Sequence, residues 1–202
     1  MNRVLSPEYM SKVITPKSLL VFCGPSGVGK TTLIKQLMKR HPERYGYSVS
    51  HTTRPKRDSE VDGIDYHFTT DASMRKAIDR KQFLEFECVH GHLYGTSIRS
   101  VIDVIERNRV CVLDIDVQGV QDLMKGGYCA SWIWLEPPSL EVLSQRLHKR
   151  GSEDENTIQM RLQNSQKEMD LAHRLPFSLI VHYDSVESAY KQLCEYLGLT
   201  EK

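Results

Sequence analysis

Near the start of the chain, Gly24-Pro25-Ser26-Gly27-Val28-Gly29-Lys30-Thr31 combines three glycines, a lysine and a hydroxyl in the spacing G-x-x-x-x-G-K-[ST]. That combination is chemistry for holding a polyphosphate. Glycines let the backbone curl until several N–H groups aim at one anion, at the positive end of a following helix. Lys30 is placed to reach the β and γ phosphates, and the Thr31 hydroxyl to hold a Mg2+ ion that bridges them. Asp114 closes the apolar run Val110 to Leu113, where a second carboxylate would face that metal or its waters; a plain strand-ending or helix-capping aspartate is the alternative.

A second anion site is suggested by Arg54 and Arg57, three residues apart in a proline-containing loop. Such a pair could fork around another phosphate or stay a solvated basic loop. Tyr66 and Tyr94 either donate hydroxyls to that phosphate or pack as sheet aromatics with wet tips. Glu85 lies among Phe83, Leu84 and Phe86, so an inward carboxylate needs a donor, whereas an outward one needs none. Guanine would supply adjacent N1–H and N2–H2 donors, with Thr96 or Ser50 donating to O6; adenine would set an acceptor against the carboxylate. Arg146 and Arg150 sit one helical turn apart, and Ser152-x-x-Glu155 has capping-box form ahead of a helix carrying Arg161. These arginines fit a mobile lid or a solvated helix face. Cys88, His90 and His92 alternate, but Gly91 interrupts them and no fourth ligand completes a zinc pattern. A hairpin tip is the simpler expectation.

The elements that must position these groups follow from periodicity. Ser18 to Cys23 reads as a buried parallel strand, and Leu33, Ile34, Leu37 and Met38 as a helix after the glycine loop. Tyr47 to Ser50 reads as a short strand, Val101 to Arg107 as a helix, and Val110 to Ile115 as a strand. Trp132 to Leu135 and Leu179 to Val181 read as further strands, Leu140, Leu143 and Leu147 as one helix and Val186 to Leu197 as another. Between Ser50 and Ser97, strand-like runs separated by turns suggest a small, largely β insertion. Strands alternating with helices imply an α/β fold with a parallel sheet covered by helices.

With 202 residues, 40% hydrophobic and 26% charged, the chain can bury a substantial core as one compact unit with insertions. A formal net charge of +1 leaves no global field for nucleic acid or an anionic membrane. Five cysteines without a C-x-x-C pair, mostly in apolar runs, are expected to be buried and reduced. Met1 to Lys17 has no apolar signal-peptide core, and no run reaches the length of a membrane helix. The expectation is a cytoplasmic protein with a loosely held N-terminal arm over residues 1–17; a cryptic transit peptide is the alternative, disfavoured by Glu8 and the sparse basic content.

Together these residues resemble the guanylate kinase family of nucleoside monophosphate kinases, over residues 18 to 198. The resemblance rests on the loop above and on Ser48-Val49-Ser50-His51-Thr52-Thr53-Arg54 with Arg57. It continues through Glu60-Val61-Asp62-Gly63-Ile64-Asp65-Tyr66-His67-Phe68, Phe83-Leu84-Glu85, Tyr94-Gly95-Thr96-Ser97 and Leu113-Asp114-Ile115-Asp116-Val117-Gln118-Gly119. It implies a P-loop NTPase-type core with a GMP-binding insertion at about 51–97 and a helical lid at about 147–166. By this resemblance Gly24, Ser26, Gly27, Val28, Gly29, Lys30, Thr31 and Thr32 bind ATP, and Thr31 and Asp114 serve Mg2+. Ser50, Glu85, Thr96 and Asp116 read guanine, and Arg54, Arg57, Tyr66 and Tyr94 hold the GMP phosphate. Lys30, Arg54, Arg146, Arg150 and Arg161 are the implied catalytic set. Thr96 stands where serine is usual, and His182 where asparagine is common near the adenine.

The implied reaction is Mg2+-dependent transfer of the ATP γ-phosphoryl group to GMP, giving ADP and GDP, by a monomer or weak homo-oligomer with no nucleic-acid or membrane partner. A non-catalytic scaffold module that binds phosphopeptides is the competing class; the complete loop and Asp114 argue against it. A GTPase switch, suggested by D-x-x-G at Asp116 to Gly119, ranks last because no N-K-x-D follows.

Overall fold

The structure, a computed structural model, describes residues 13–15, 17–89, 91–150 and 155–200, with backbone only for Arg150. The expected N-terminal arm falls almost wholly outside these residues, as do His90, Ser152 and the Arg150 side chain. Contacts divide the chain into two units. One contains Met1–Leu19, Glu43–Leu113 and Gln121–Ala130, and the other Leu20–Pro42, Asp114–Val120 and Ser131–Lys202.

The second unit is built on β1 (Leu19–Cys23), β8 (Ser131–Glu136) and β9 (Leu179–His182). All three run parallel, with Phe22 opposite Ile133 and Trp134 opposite Ile180. Every residue of β1 is buried, as befits an apolar strand covered on both faces. Four helices belong here: α1 (Lys30–Arg40), α5 (Leu140–Arg150), α6 (Glu155–Ala172) and α7 (Val186–Leu197). Leu33, Ile34 and Leu37 bury one stripe of α1. Ala189, Tyr190, Leu193 and Cys194 do the same for α7, which packs on α1 and β9. Ser185 caps α7 by accepting from the Ser188 N–H at 3.1 Å, and Gly198 ends it at φ 61°. Both tryptophans of the chain, Trp132 and Trp134, lie on β8 and are buried. The Trp134 indole N–H donates to Glu136, and its ring meets Phe177 at 5.6 Å.

In the first unit, β2 (Tyr45–Tyr47) runs parallel to β7 (Val110–Asp114), Tyr45 opposite Val110, and α3 (Ile98–Ile105) packs on β2. Cys111 N–H on β7 donates to Ser18 C=O at 2.7 Å. A separate four-stranded sheet has the order β4-β3-β6-β5, made of β3 (His51–Thr52), β4 (His67–Phe68), β5 (Phe83–Val89) and β6 (His92–Ser97). β5 and β6 form an antiparallel hairpin from Glu85 opposite Thr96 to Val89 opposite His92, so the turn expected at Gly91 is there. α2 (Asp71–Asp79) packs on this hairpin; α4 (Val117–Lys125) is divided, its first four residues belonging to the second unit and the rest to the first.

Three expectations are corrected, and one element is added. The strand expected at Tyr47 to Ser50 is instead two strands, Tyr45–Tyr47 and His51–Thr52. Ser48 to Ser50 carry the chain between the two sheets, with Ser48 N–H still donating to Val112 C=O at 3.0 Å. The helix expected from Val101 begins at Ile98, because the Ser97 hydroxyl accepts from the Ser100 N–H at 3.1 Å. The insertion is largely β as expected and also contains α2, capped by Thr70 and burying only Met74, a stripe too thin to read as helical periodicity. Cys23, Cys111 and Cys194 are buried as expected, but Cys88 and Cys129 are exposed.

Candidate functional site

In the second unit, the loop between β1 and α1 is shaped by what surrounds its glycines. Gly29 adopts φ 119°, and a Cβ there would stand 2.5 Å from the Tyr183 ring. Gly24 would drive a Cβ to 2.8 Å from the Leu135 carbonyl oxygen. Only glycine meets both the dihedral and the close approach. α1 starts directly at Lys30, with Thr32 and Leu33 N–H bonded to Gly29 C=O at 3.1 Å, so its N-terminal dipole points into the loop.

Lys30 Nζ donates to Gly24 C=O at 2.5 Å and stands 4.0 Å from Asp114 Oδ1. Burial raises the Asp114 carboxyl above its usual range, and Lys30 opposes that rise. Arg161 Nη1 donates to Ser26 Oγ at 3.0 Å, and Arg146 Nη1 to Val28 C=O at 2.8 Å. The Arg146 guanidinium also lies 5.4 Å over the ring of Tyr183, whose hydroxyl donates to Gly29 C=O at 3.3 Å. A cavity of about 310 Å3 opens here, lined by Gly27 to Gly29, Thr32, Arg146 and Tyr183 among others. Thr31 and Thr32 are exposed. Asp116 belongs to this unit and accepts from the Gly119 N–H at 2.8 Å, opening α4.

Two contributors escaped the sequence reading. Tyr183 lines the cavity, whereas its neighbour His182 is exposed and has its backbone clamped by Gln192 at 3.0 and 2.9 Å. Alternation along β9 carried the signal for Tyr183. Glu168 is seven residues beyond Arg161 on α6 and hence on the same face. Burial pushes its carboxyl up to about 7, Lys30 opposing and Asp116 adding to the rise.

The four-stranded sheet of the first unit collects the other expected residues on one face. Glu85 pairs across the ladder with Thr96, and Ser50 Oγ lies 3.4 Å from Thr96 Oγ1, both hydroxyls buried. Glu85 is half-buried and shares its face with Thr96, so it is not an outward strand glutamate. Arg54 Nε donates to Tyr94 Oη at 3.2 Å, and its guanidinium lies 5.6 Å over the Tyr66 ring. Tyr66 and Tyr94 meet edge to face at 5.9 Å. Glu60 organises this corner, accepting from Arg54 Nη2 at 2.6 Å and from Arg57 N–H at 2.9 Å. Burial, the largest single effect, works against the charge on both Arg54 and Glu60, but their mutual hydrogen bond together with Tyr94 beside Arg54 and Arg57 beside Glu60 outweighs it, raising Arg54 and lowering Glu60. The Arg57 guanidinium is half exposed, 4.0 Å from Glu60. On the opposite face, the His51 and His67 rings lie 4.7 Å apart. Burial, with His67 beside it, lowers His51 to about 4, Asp62 opposing. Among the described residues, no cluster of three or more His, Cys, Asp or Glu could hold a metal ion.

The molecule thus carries a glycine loop bonded by arginines and a sheet face with carboxylates and its own arginine. The family model described as guanylate kinase matches residues 16–199. The chain is 47% identical over 89% of its length to guanylate kinase 1 of Arabidopsis thaliana, of which the match spans 47%. The corresponding rice protein is 44% identical and covered over 48% of its length, so the chain spans about half the length of these two relatives. Guanylate kinase of Schizosaccharomyces pombe is 42% identical, with 96% of each chain covered. A crystal structure of guanylate kinase from Anaplasma phagocytophilum shares the fold at TM-score 0.69 and 22% identity, over 90% of this chain and 85% of that one. On the family match and these identities, the chain belongs to the guanylate kinase family.

Proposed function

We propose that this chain transfers the γ-phosphoryl group of ATP to GMP, giving ADP and GDP, with Mg2+ as cofactor. The observation that carries the reading is the intact loop with Lys30 held between Gly24 C=O and Asp114. A scaffold module has no use for a lysine poised over a nest of amides, so the phosphopeptide-binding alternative is disfavoured.

The loop amides and Lys30 would bind the ATP phosphates, and Arg146 and Arg161, now bonded to Val28 and Ser26 of that loop, would neutralise charge as phosphoryl moves. α5 and α6, which carry these arginines and pack on each other, would form the lid that excludes water. A lid role for Arg150, described by its backbone alone, rests on the family resemblance. Glu85, Thr96, Ser50 and Asp116 would read guanine, while Arg54, Arg57, Tyr66 and Tyr94 would bind the acceptor phosphate. That phosphate already bears negative charge, so its oxygen attacks without a strong general base, and positioning carries the rate. The Thr31 hydroxyl and the Asp114 carboxylate are hard oxygen donors that fit Mg2+, which keeps several waters and binds protein through one or two groups. The metal would supply charge neutralisation at the β and γ phosphates. Five unpaired thiols, two of them exposed, fit a reducing, cytoplasmic setting.

The test is a coupled ADP-release assay of the purified protein with ATP and Mg2+, supplying GMP, AMP, CMP or UMP in turn. GMP-dependent release that disappears without Mg2+ is the expected result. Release with another monophosphate overturns the guanine reading, and GMP binding without release restores the scaffold reading.

A further inference from the structure

Resting on that reading, we infer that Glu87 accepts a hydrogen bond from a ribose hydroxyl of the acceptor nucleotide and makes the site discriminate ribonucleotides from deoxyribonucleotides. Glu87 follows Glu85 by two residues on β5 and stands opposite Tyr94 in the ladder. Side chains two apart on a strand, or directly opposite across it, share one face. Glu87 therefore projects from the face that carries Glu85, Thr96 and Tyr94. Its Oε2 is shut off from solvent and takes no hydrogen bond from the described residues. A buried carboxylate oxygen without a donor is costly, and its place within a ligand-binding face points to a donor that arrives with the ligand.

The ladder indicates which donor that is. Glu85 and Thr96 form one cross-strand row, with Ser50 beside Thr96, and this row reads the base. Tyr94 and Arg54 lie in the next row, with the hydroxyl and guanidinium for the phosphate. In a nucleoside monophosphate the sugar joins these two parts, and adjacent rows are roughly 7 Å apart along a strand. Arg54 approaches Tyr94 from the β3 side, and Glu87 flanks Tyr94 on the β5 side. A carboxylate there is separated from the phosphate-binding guanidinium by the width of a strand, beside the stretch the sugar must cross. The sugar offers only O–H donors, which a carboxylate binds strongly.

The test compares GMP, 2′-deoxy-GMP and 3′-deoxy-GMP as acceptors for the wild type, E87A and E87Q. In the wild type, the nucleotide lacking the bonded hydroxyl is expected to lose about 10- to 100-fold in kcat/KM, the span of a charge-assisted hydrogen bond. E87A should lose a similar factor with GMP and bring the two nucleotides within about threefold of each other. The near-isosteric E87Q, which keeps the fold while weakening the acceptor, should fall between. A wild type indifferent to both hydroxyls, or an E87A that keeps the full discrimination, overturns the assignment. If the wild type phosphorylates no monophosphate, the proposed reaction fails on its own account. Calorimetric affinities of the three proteins for the same nucleotides then decide the ribose contact by the same ratios.

Discussion

Lys30 holds its ammonium against a backbone carbonyl at 2.5 Å, so the proposed binding of a triphosphate would exchange one acceptor for another without leaving the charge bare. K30A should lower kcat by about 10²- to 10³-fold, the usual loss for one preorganised electrostatic donor. Calorimetry should find GMP affinity within about twofold of wild type; equal loss of both would mean one site rather than two. Glu85 makes the complementary case. If Glu85 reads guanine as proposed, E85Q would set an amide against the guanine N–H donors and should cost about 3 kcal/mol of GMP over AMP discrimination, read as kcat/KM ratios. An unchanged ratio would remove Glu85 from base recognition. Glu168 yields a prediction about stability. Its folded pKa, about 7, lies above the ordinary 4.5, so the folded state binds the proton more tightly than the unfolded chain does. The cost of its charge is absent below about pH 4.5, grows as pH rises and is complete above about 7. E168Q should therefore stabilise the ligand-free protein by on the order of 2 kcal/mol at pH 8 and by little at pH 4.5, in urea melts at each pH.

Elements deliver these groups with different tolerances. Gly95 sits mid-strand in β6, where a Cβ would meet the Glu85 carbonyl oxygen and Phe83 Cδ1, both at 2.8 Å. Part of that clash is with backbone, which cannot swing aside, so G95A must push β5 away from β6. Expected are a loss of about 1–3 kcal/mol in stability and a KM for GMP raised more than that for ATP. What could be read in the chain beforehand follows the same division. The strand–loop–helix form around the glycines was legible because strand, glycines and helix are contiguous, and the α7 limits because one periodic stripe runs unbroken from Val186 to Leu197. Arg54, Tyr94 and Glu60 were harder to join. Arg54 and Tyr94 are forty positions apart, and only the pairing of β3 with β6 makes them neighbours. Glu60 was seen only within a signature and not as the residue that holds Arg54. α2 went unread because nearly all its surface is polar and Met74 alone is buried. Tyr183 was passed over for His182, since deciding which of two adjacent residues faces a cavity needs the strand's phase, and that is fixed by pairing with β8.

At the scale of the molecule, the residues proposed to bind ATP fall in one unit and those proposed to bind GMP, Asp116 apart, in the other. Each nucleotide should thus stabilise the chain alone. At a hundred times its Kd, GMP or ATP should add about 2.7 kcal/mol, a rise of roughly 5–10 °C in the melting temperature of a chain this size. A thermal scan with no shift under saturating GMP would contradict the acceptor site. The pH response also has opposed contributions. His51, depressed to about 4, stabilises the fold above about 6.5 and withdraws that support as pH falls toward 4, while Glu168 becomes less costly over an overlapping range. Stability should therefore change less between pH 7 and 4.5 than either group alone dictates, and H51Q should expose the Glu168 trend. Finally, Trp132 and Trp134 both sit on β8, one strand from the loop that carries Lys30. Indole emission is therefore a one-sided optical probe. It watches the unit that holds the phosphate loop, while the unit with the four-stranded sheet contributes ellipticity and tyrosine signal but no tryptophan light. Any gap between fluorescence and circular dichroism melts would time the two units separately, with no label added.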